Sequence, residues 1–174
     1  MKKFAFALAA VSTIGLSEPA SAGTQTTTFQ VLATVVSSCI VAASDLIFLT
    51  YDGTSGTDTK ATSSITLICA GTSTAKLELD NGQHFASGTR KMQFYDPLGV
   101  LTGTDTLGYG LFQPVSGAPG AACGTTAFGS GTAGLNVTGL GLSIQSFTVC
   151  GTIPKAQAAT AGAYRDVVTV TATF

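Results

Sequence analysis

Apolar and polar residues take turns along most of this chain, and that two-residue rhythm limits what it can become. In residues 26–36 (TTTFQVLATVV) Phe29, Val31, Ala33 and Val35 share one face. Residues 64–69 (SITLIC) set Ile65, Leu67 and Cys69 together, and residues 76–80 (KLELD) do the same with Leu77 and Leu79. Leu107, Tyr109 and Leu111 repeat the pattern, as do Phe147 and Val149. The chain closes on residues 165–174 (RDVVTVTATF), which align Val168, Val170, Ala172 and Phe174. A β-strand sends successive side chains to opposite faces, so this period, carried by Val, Ile, Thr and aromatics, predicts half-buried strands. Turn signals separate them: Asp52-Gly53, Asp80-Asn81-Gly82, Asp96-Pro97, the glycines at 117–120, and Pro154. Beyond the first residues no stretch carries the i, i+3, i+4, i+7 stripe of a surface helix. Short strands with dense turns predict an all-β sandwich or barrel.

The first residues read as an address label. Lys2 and Lys3, an apolar run from Phe4 to Leu16, the helix-breaking Pro19 and the small residues Ala20-Ser21-Ala22 predict a secretory signal peptide over residues 1–22. That run falls well short of the ~20 residues a bilayer-spanning helix needs, and no later run is longer, so no transmembrane anchor is expected. Export places Cys39, Cys69, Cys123 and Cys150 where disulfides persist. Four cysteines allow three connectivities, and the spacings favour Cys39–Cys69 and Cys123–Cys150. Each bridge would contribute roughly 3 kcal/mol on the loop-entropy model.

Composition removes several functions. With 45% hydrophobic and 10% charged residues the chain does not have the make-up of a disordered protein. Eight Lys and Arg against nine Asp and Glu leave no basic surplus for a phosphate backbone, so nucleic acid is not an expected partner. His84 is the one histidine, it follows a turn, and no nucleophile motif accompanies it, so it reads as a loop residue without a catalytic task. Asp45, Asp52 and Asp58 are scattered through a turn-rich stretch that does not spell a calcium loop, and they read as solvated turn residues. Gly108-Tyr109-Gly110 lacks the helix and lysine of a phosphate loop. No catalytic residue, metal site or cofactor is predicted, and the chain reads as a protein other than an enzyme. Residues 99–141 hold 12 of the 21 glycines, and because Cys123 lies within them and Cys150 beyond, they read as a long loop of one domain.

The most specific text lies near the end. Gly151-Thr152-Ile153-Pro154-Lys155-Ala156-Gln157, followed by Gly162-Ala163-Tyr164-Arg165-Asp166-Val167-Val168-Thr169-Val170-Thr171, resembles the C-terminal signature of the spore coat protein U domain family. Cys39 after an alternating segment, Cys69 at a strand end, Arg90-Lys91-Met92 and Leu107-Gly108-Tyr109-Gly110-Leu111 agree in order and spacing. The resemblance runs from Phe29 to Phe174. It departs from the family at Cys150 and Thr152, which stand where an aromatic and an arginine are common, and in lacking a central Trp-Gly.

The resemblance implies an all-β, incomplete immunoglobulin-like β-sandwich completed by donor-strand complementation. Residues 23–37 are then an N-terminal donor-strand extension and residues 38–174 the sandwich domain. The candidate donor residues are Thr27, Phe29, Val31, Ala33 and Val35. Val168, Val170, Ala172 and Phe174, on the C-terminal strand, would form the groove edge and the chaperone dock. The implied function is a structural subunit of a surface pilus assembled by the archaic chaperone–usher pathway, supporting adhesion and biofilm formation. Its implied partners are neighbouring pilin subunits, a periplasmic chaperone and an outer-membrane usher, with passage through the periplasm to the cell surface. Two other classes stay open at this stage: a self-complemented spore or cell-coat protein, in which residues 29–36 are the sandwich's own first strand, and a carbohydrate-binding adhesin domain.

Overall fold

In the alternating stretches 64–69, 76–80, 107–111 and 147–149 the inward side chains are closed off from water. The computed structural model describes residues 23–174 apart from 73, 97, 99, 100 and 139, with the backbone alone over 101–104. The expected signal peptide at 1–22 lies outside the described residues. The chain divides into two units, Met1–Ala33 and Thr34–Phe174. Of the first, residues 23–33 form no strand and their side chains are exposed. Among its described residues the second holds ten strands: β1 (Ser38–Ala43), β2 (Thr59–Ala70), β3 (Thr74–Leu79), β4 (Arg90–Tyr95), β5 (Leu101–Pro114), β6 (Cys123–Ala127), β7 (Leu135–Thr138), β8 (Gln145–Ile153), β9 (Ala163–Arg165) and β10 (Val170–Thr173).

These strands make two antiparallel sheets. The larger runs β1-β2-β8-β5-β4-β9, with β6 also against β5, and the smaller runs β10-β3-β7. Between them lies one apolar core. Ile65, Leu67 and Cys69 of β2, Leu77 and Leu79 of β3, Leu107, Tyr109 and Leu111 of β5, and Phe147 and Val149 of β8 are each at most 6% exposed. These are the inward residues that the two-residue period picks out. Phe128, Leu135 and Val137 complete the core from the glycine-rich stretch. Each large apolar side chain buried this way contributes roughly 1.5–3 kcal/mol. Cys39 bonds Cys69 directly across the β1–β2 pair, and Cys123 bonds Cys150 between β6 and β8. The favoured connectivity is the one formed.

Three expectations are corrected. Residues 26–36 form no strand; the first ladder begins at Ser38. The C-terminal stretch is not one strand. Its start lies in β9 against β4, residues 166–169 cross between the sheets, and β10 pairs β3. The glycine-rich stretch is more than a loop, because it supplies β6, β7 and two short 3-10 turns. Leu135 and Val137 alternate over only four residues, too brief a signal to stand out among glycines. β4 (RKMQFY) is half-buried at every position, so its sequence never alternates.

Candidate functional site

Each sheet ends in an edge strand: among the described residues β1 pairs only β2, and β10 pairs only β3. Beyond β1 the chain stays in strand-like alternation without a ladder. Leu46 and Phe48 turn inward onto the core, while Ile47 and Leu49 are 65% and 92% exposed. Ser44 N–H donates to the Ser64 carbonyl, but among the described residues no backbone hydrogen bond holds residues 46–50. Residues 164–170 form the facing wall, with Tyr164 and Val168 turned to the core. A cleft of about 570 Å³ lies between the two walls, and core residues Ile65, Leu79, Tyr109, Leu111 and Val149 reach into it. The cleft thus has an apolar floor and, along residues 46–50, a wall of extended backbone without ladder bonds among the described residues, the features by which a strand can be added to a sheet edge.

The C-terminal wall is pinned by polar groups. The carboxylate of Asp166, whose side chain is 2% exposed, accepts the Tyr109 hydroxyl at 2.7 Å and the Gln83 N–H at 2.9 Å, and it lies 3.2 Å from His84 Nδ1. Burial and the adjacent Asp166 carboxylate push the Tyr109 phenol far above its ordinary range, so it stays a proton donor. Asp80 holds the start of β10: its Oδ1 accepts the Thr169 N–H at 3.0 Å, and its own N–H donates to the Thr169 carbonyl. Burial alone would raise the Asp80 carboxyl, but hydrogen bonds from Thr169 and Gly82, with Arg90 nearby, leave it lowered. Gly82 has φ +77, and a Cβ there would fall 2.0 Å from Asp166 Oδ2, so this turn needs glycine.

The Pro154–Gln157 part of the signature is a clamp. The Gln157 carboxamide pairs with both backbone groups of Gly108, at 2.8 Å each way, as a neighbouring strand would. The Gln157 backbone N–H donates to the Tyr51 hydroxyl at 2.7 Å, and that hydroxyl donates to the Pro154 carbonyl.

The predicted site residues are placed as follows. Thr27, Phe29, Val31, Ala33 and Val35 lie in no strand, and Phe29, Val31 and Val35 are 85%, 83% and 78% exposed. Val168 and Val170 line the cleft. Ala172 sits further along β10 opposite Leu77, and Phe174 lies past the strand end, half exposed. The opposite wall, Leu46 and Phe48, was not anticipated, although the apolar run DLIFLT that carries it stands in the sequence. His84, read as a residue without a task, touches the Asp166 carboxylate. Asp52 caps its own turn by accepting the Thr54 N–H, as expected, whereas Asp58 ties distant chain together by accepting the Lys155 N–H.

Known proteins share this architecture. One chain of the CsuC–CsuE chaperone–tip adhesion subunit pre-assembly complex, from the archaic chaperone–usher Csu pili of Acinetobacter baumannii, superposes with a TM-score of 0.55 at 24% identity. The match takes in 81% of this chain and 41% of that one, so this chain spans less than half the length of its structural neighbour. Protein U of Myxococcus xanthus is 34% identical over 175 residues, covering 95% of this chain and 93% of the relative. The family model for the Spore Coat Protein U domain matches residues 25–171, which hold both walls of the cleft and nearly every strand. By that match and that relative, the chain belongs to the Spore Coat Protein U domain family.

Proposed function

We propose that this chain is a subunit of a surface fibre built by a chaperone–usher pathway, in which residues 23–37 of one copy fill the cleft of the next. Residues 1–22 are the export signal, and residues 38–174 are the body that carries the cleft. The observation that carries the reading is the pairing of two features in one chain: an apolar cleft with the unladdered backbone of residues 46–50 along one wall, and an exposed alternating segment that lies in no strand. The fold shared with a Csu pilus complex chain and the family membership support it. The exposed segment argues against residues 29–36 being the first strand of a self-contained sandwich.

The energetics suit strand donation. Burying Phe29, Val31 and Val35 would contribute on the order of 5–9 kcal/mol before ordering costs. An open cleft with free edges invites aggregation, so a periplasmic chaperone would cover it in transit, docking along β10, and an outer-membrane usher would exchange that cover for the next subunit. Head-to-tail donation does not close on itself and yields a filament. Adhesion and biofilm support are the roles such a surface fibre serves.

The test uses the body, residues 37–174, with a synthetic peptide of residues 26–36. At a hundredfold excess over Kd the peptide should raise stability by about 2.7 kcal/mol. The same peptide with Asp at positions 29 and 31 should give no gain. A body that is monomeric, compact and indifferent to the peptide rules out strand donation.

A further inference from the structure

The solvent face of β1, β2 and β8 is mostly small and polar, with one row that breaks the pattern. Ala42, Thr66 and Ser146 form one cross-strand row, and Ser64 and Thr148 pair in the next. None of these is bulky. One row nearer the exit of the N-terminal extension, Ile40 pairs with Ile68. The β2–β8 register, with Leu67 opposite Gln145, places Ile144 beside Ile68 when continued by one residue. Ile40 and Ile144 are each 70% exposed, and Leu142 just ahead is 81% exposed. Paired strands lie about 4.8 Å apart, so three isoleucines in one row make a continuous apolar stripe. Single exposed apolar residues are ordinary, but a contiguous row on a Ser/Thr face marks a contact surface.

We infer that this isoleucine stripe is a second contact between successive subunits, docking on the copy that receives the extension and setting the angle between them. The inference rests on the strand-donation reading. Chain length argues for that occupant. Ile40 lies five positions after Val35, a span of at most about 18 Å when fully extended. A copy whose Val35 sits in a neighbour's cleft therefore holds Ile40 close to that neighbour. The exit is anchored at the same end of the sheet, because the Ser37 hydroxyl donates to the Gly71 carbonyl at 3.0 Å. The loop before β8 is anchored there too, through the Cys69 N–H on the Gly141 carbonyl. With eight basic and nine acidic residues, two copies can approach without strong repulsion.

Fibres of the full chain, imaged by electron microscopy, test this. In the variant I40T/I68T/I144T, threonine keeps the β-branching that strands favour while removing apolar surface. Both proteins should form fibres. Wild-type fibres should show a narrow distribution of angles between successive subunits, and the variant should lose it and become limp. Variant fibres with the same narrow distribution overturn the stripe while leaving strand donation intact. If the triple variant gives no fibres, I144T alone decides, since it lies outside the β1–β2 pair: a broadened angle supports the inference and an unchanged one overturns it. Wild-type chains that form no fibres defeat strand donation, and the stripe with it.

Discussion

Residues 26–36 and residues 164–173 both alternate apolar and polar side chains, yet one segment is exposed along its length and the other is built into the sandwich. The difference lies in the polar positions. The C-terminal segment carries Tyr164, Asp166 and Thr169, which reach Thr160, Tyr109 and Asp80 respectively. Among the described residues no side-chain hydrogen bond involves residues 26–36. Alternation makes a segment able to be a strand, and specific polar anchors decide whether it is one within its own chain. A segment with the apolar face but without anchors remains available to another molecule.

The sharpest way to break this contrast is to spoil the anchored segment's apolar face. Val170→Asp would press a charge against Leu79 at the edge of the core, and it should lower the stability of the body by about 3 kcal/mol or more. A urea-unfolding midpoint little different from wild type would show that β10 is as loosely held as the N-terminal segment.

Removing the anchor itself should cost somewhat less. Asp166→Ala leaves the buried Tyr109 hydroxyl and the Gln83 N–H without their acceptor, a loss of about 2–3 kcal/mol. Hydrogen exchange should speed up far more over residues 164–170 than over the core residues 64–69. Uniform acceleration would mean the anchor is not local.

The same anchor predicts a dependence on alkaline pH. The Tyr109 phenol sits above its ordinary value of 10.0 because of burial and Asp166. The folded chain therefore keeps a proton that the unfolded chain releases. That contribution is whole below pH 10 and is lost as pH rises beyond it. Tyr109→Phe should be less stable at neutral pH but should show a flatter decline above pH 10, read from unfolding midpoints across that range.

The smallest effect is expected at the other end. Phe29→Asp with Val31→Asp should change the stability of the isolated chain by less than about 0.5 kcal/mol, as exposed positions do. A large loss would mean that the segment already completes its own sandwich.

Much of this was legible in the residues. Leu77 and Leu79, or Phe147 and Val149, declare their buried face through spacing alone, because a strand's geometry is local and its period does not depend on what lies opposite. The cysteine spacing pointed to the right pairs for a related reason: closing short loops costs little entropy. The walls of the cleft were half legible. Val168 and Val170 stood in the alternating text, whereas Leu46 and Phe48 were hidden in the continuous apolar run LIFL, which has no two-residue period to mark an inward face.

What the sequence determined by itself is that strands form, which face of each goes inward, and that one strand-like segment precedes the first cysteine. The tertiary structure alone decided that the C-terminal stretch crosses from one sheet to the other, and that residues 46–50 stand unpaired across from it. It also brought His84 and Tyr109 to Asp166 over 82 and 57 residues of chain. Alternation is set by each residue and its immediate neighbours. Sheet order and polar anchoring come from contacts between distant segments, which exist only once the core has closed.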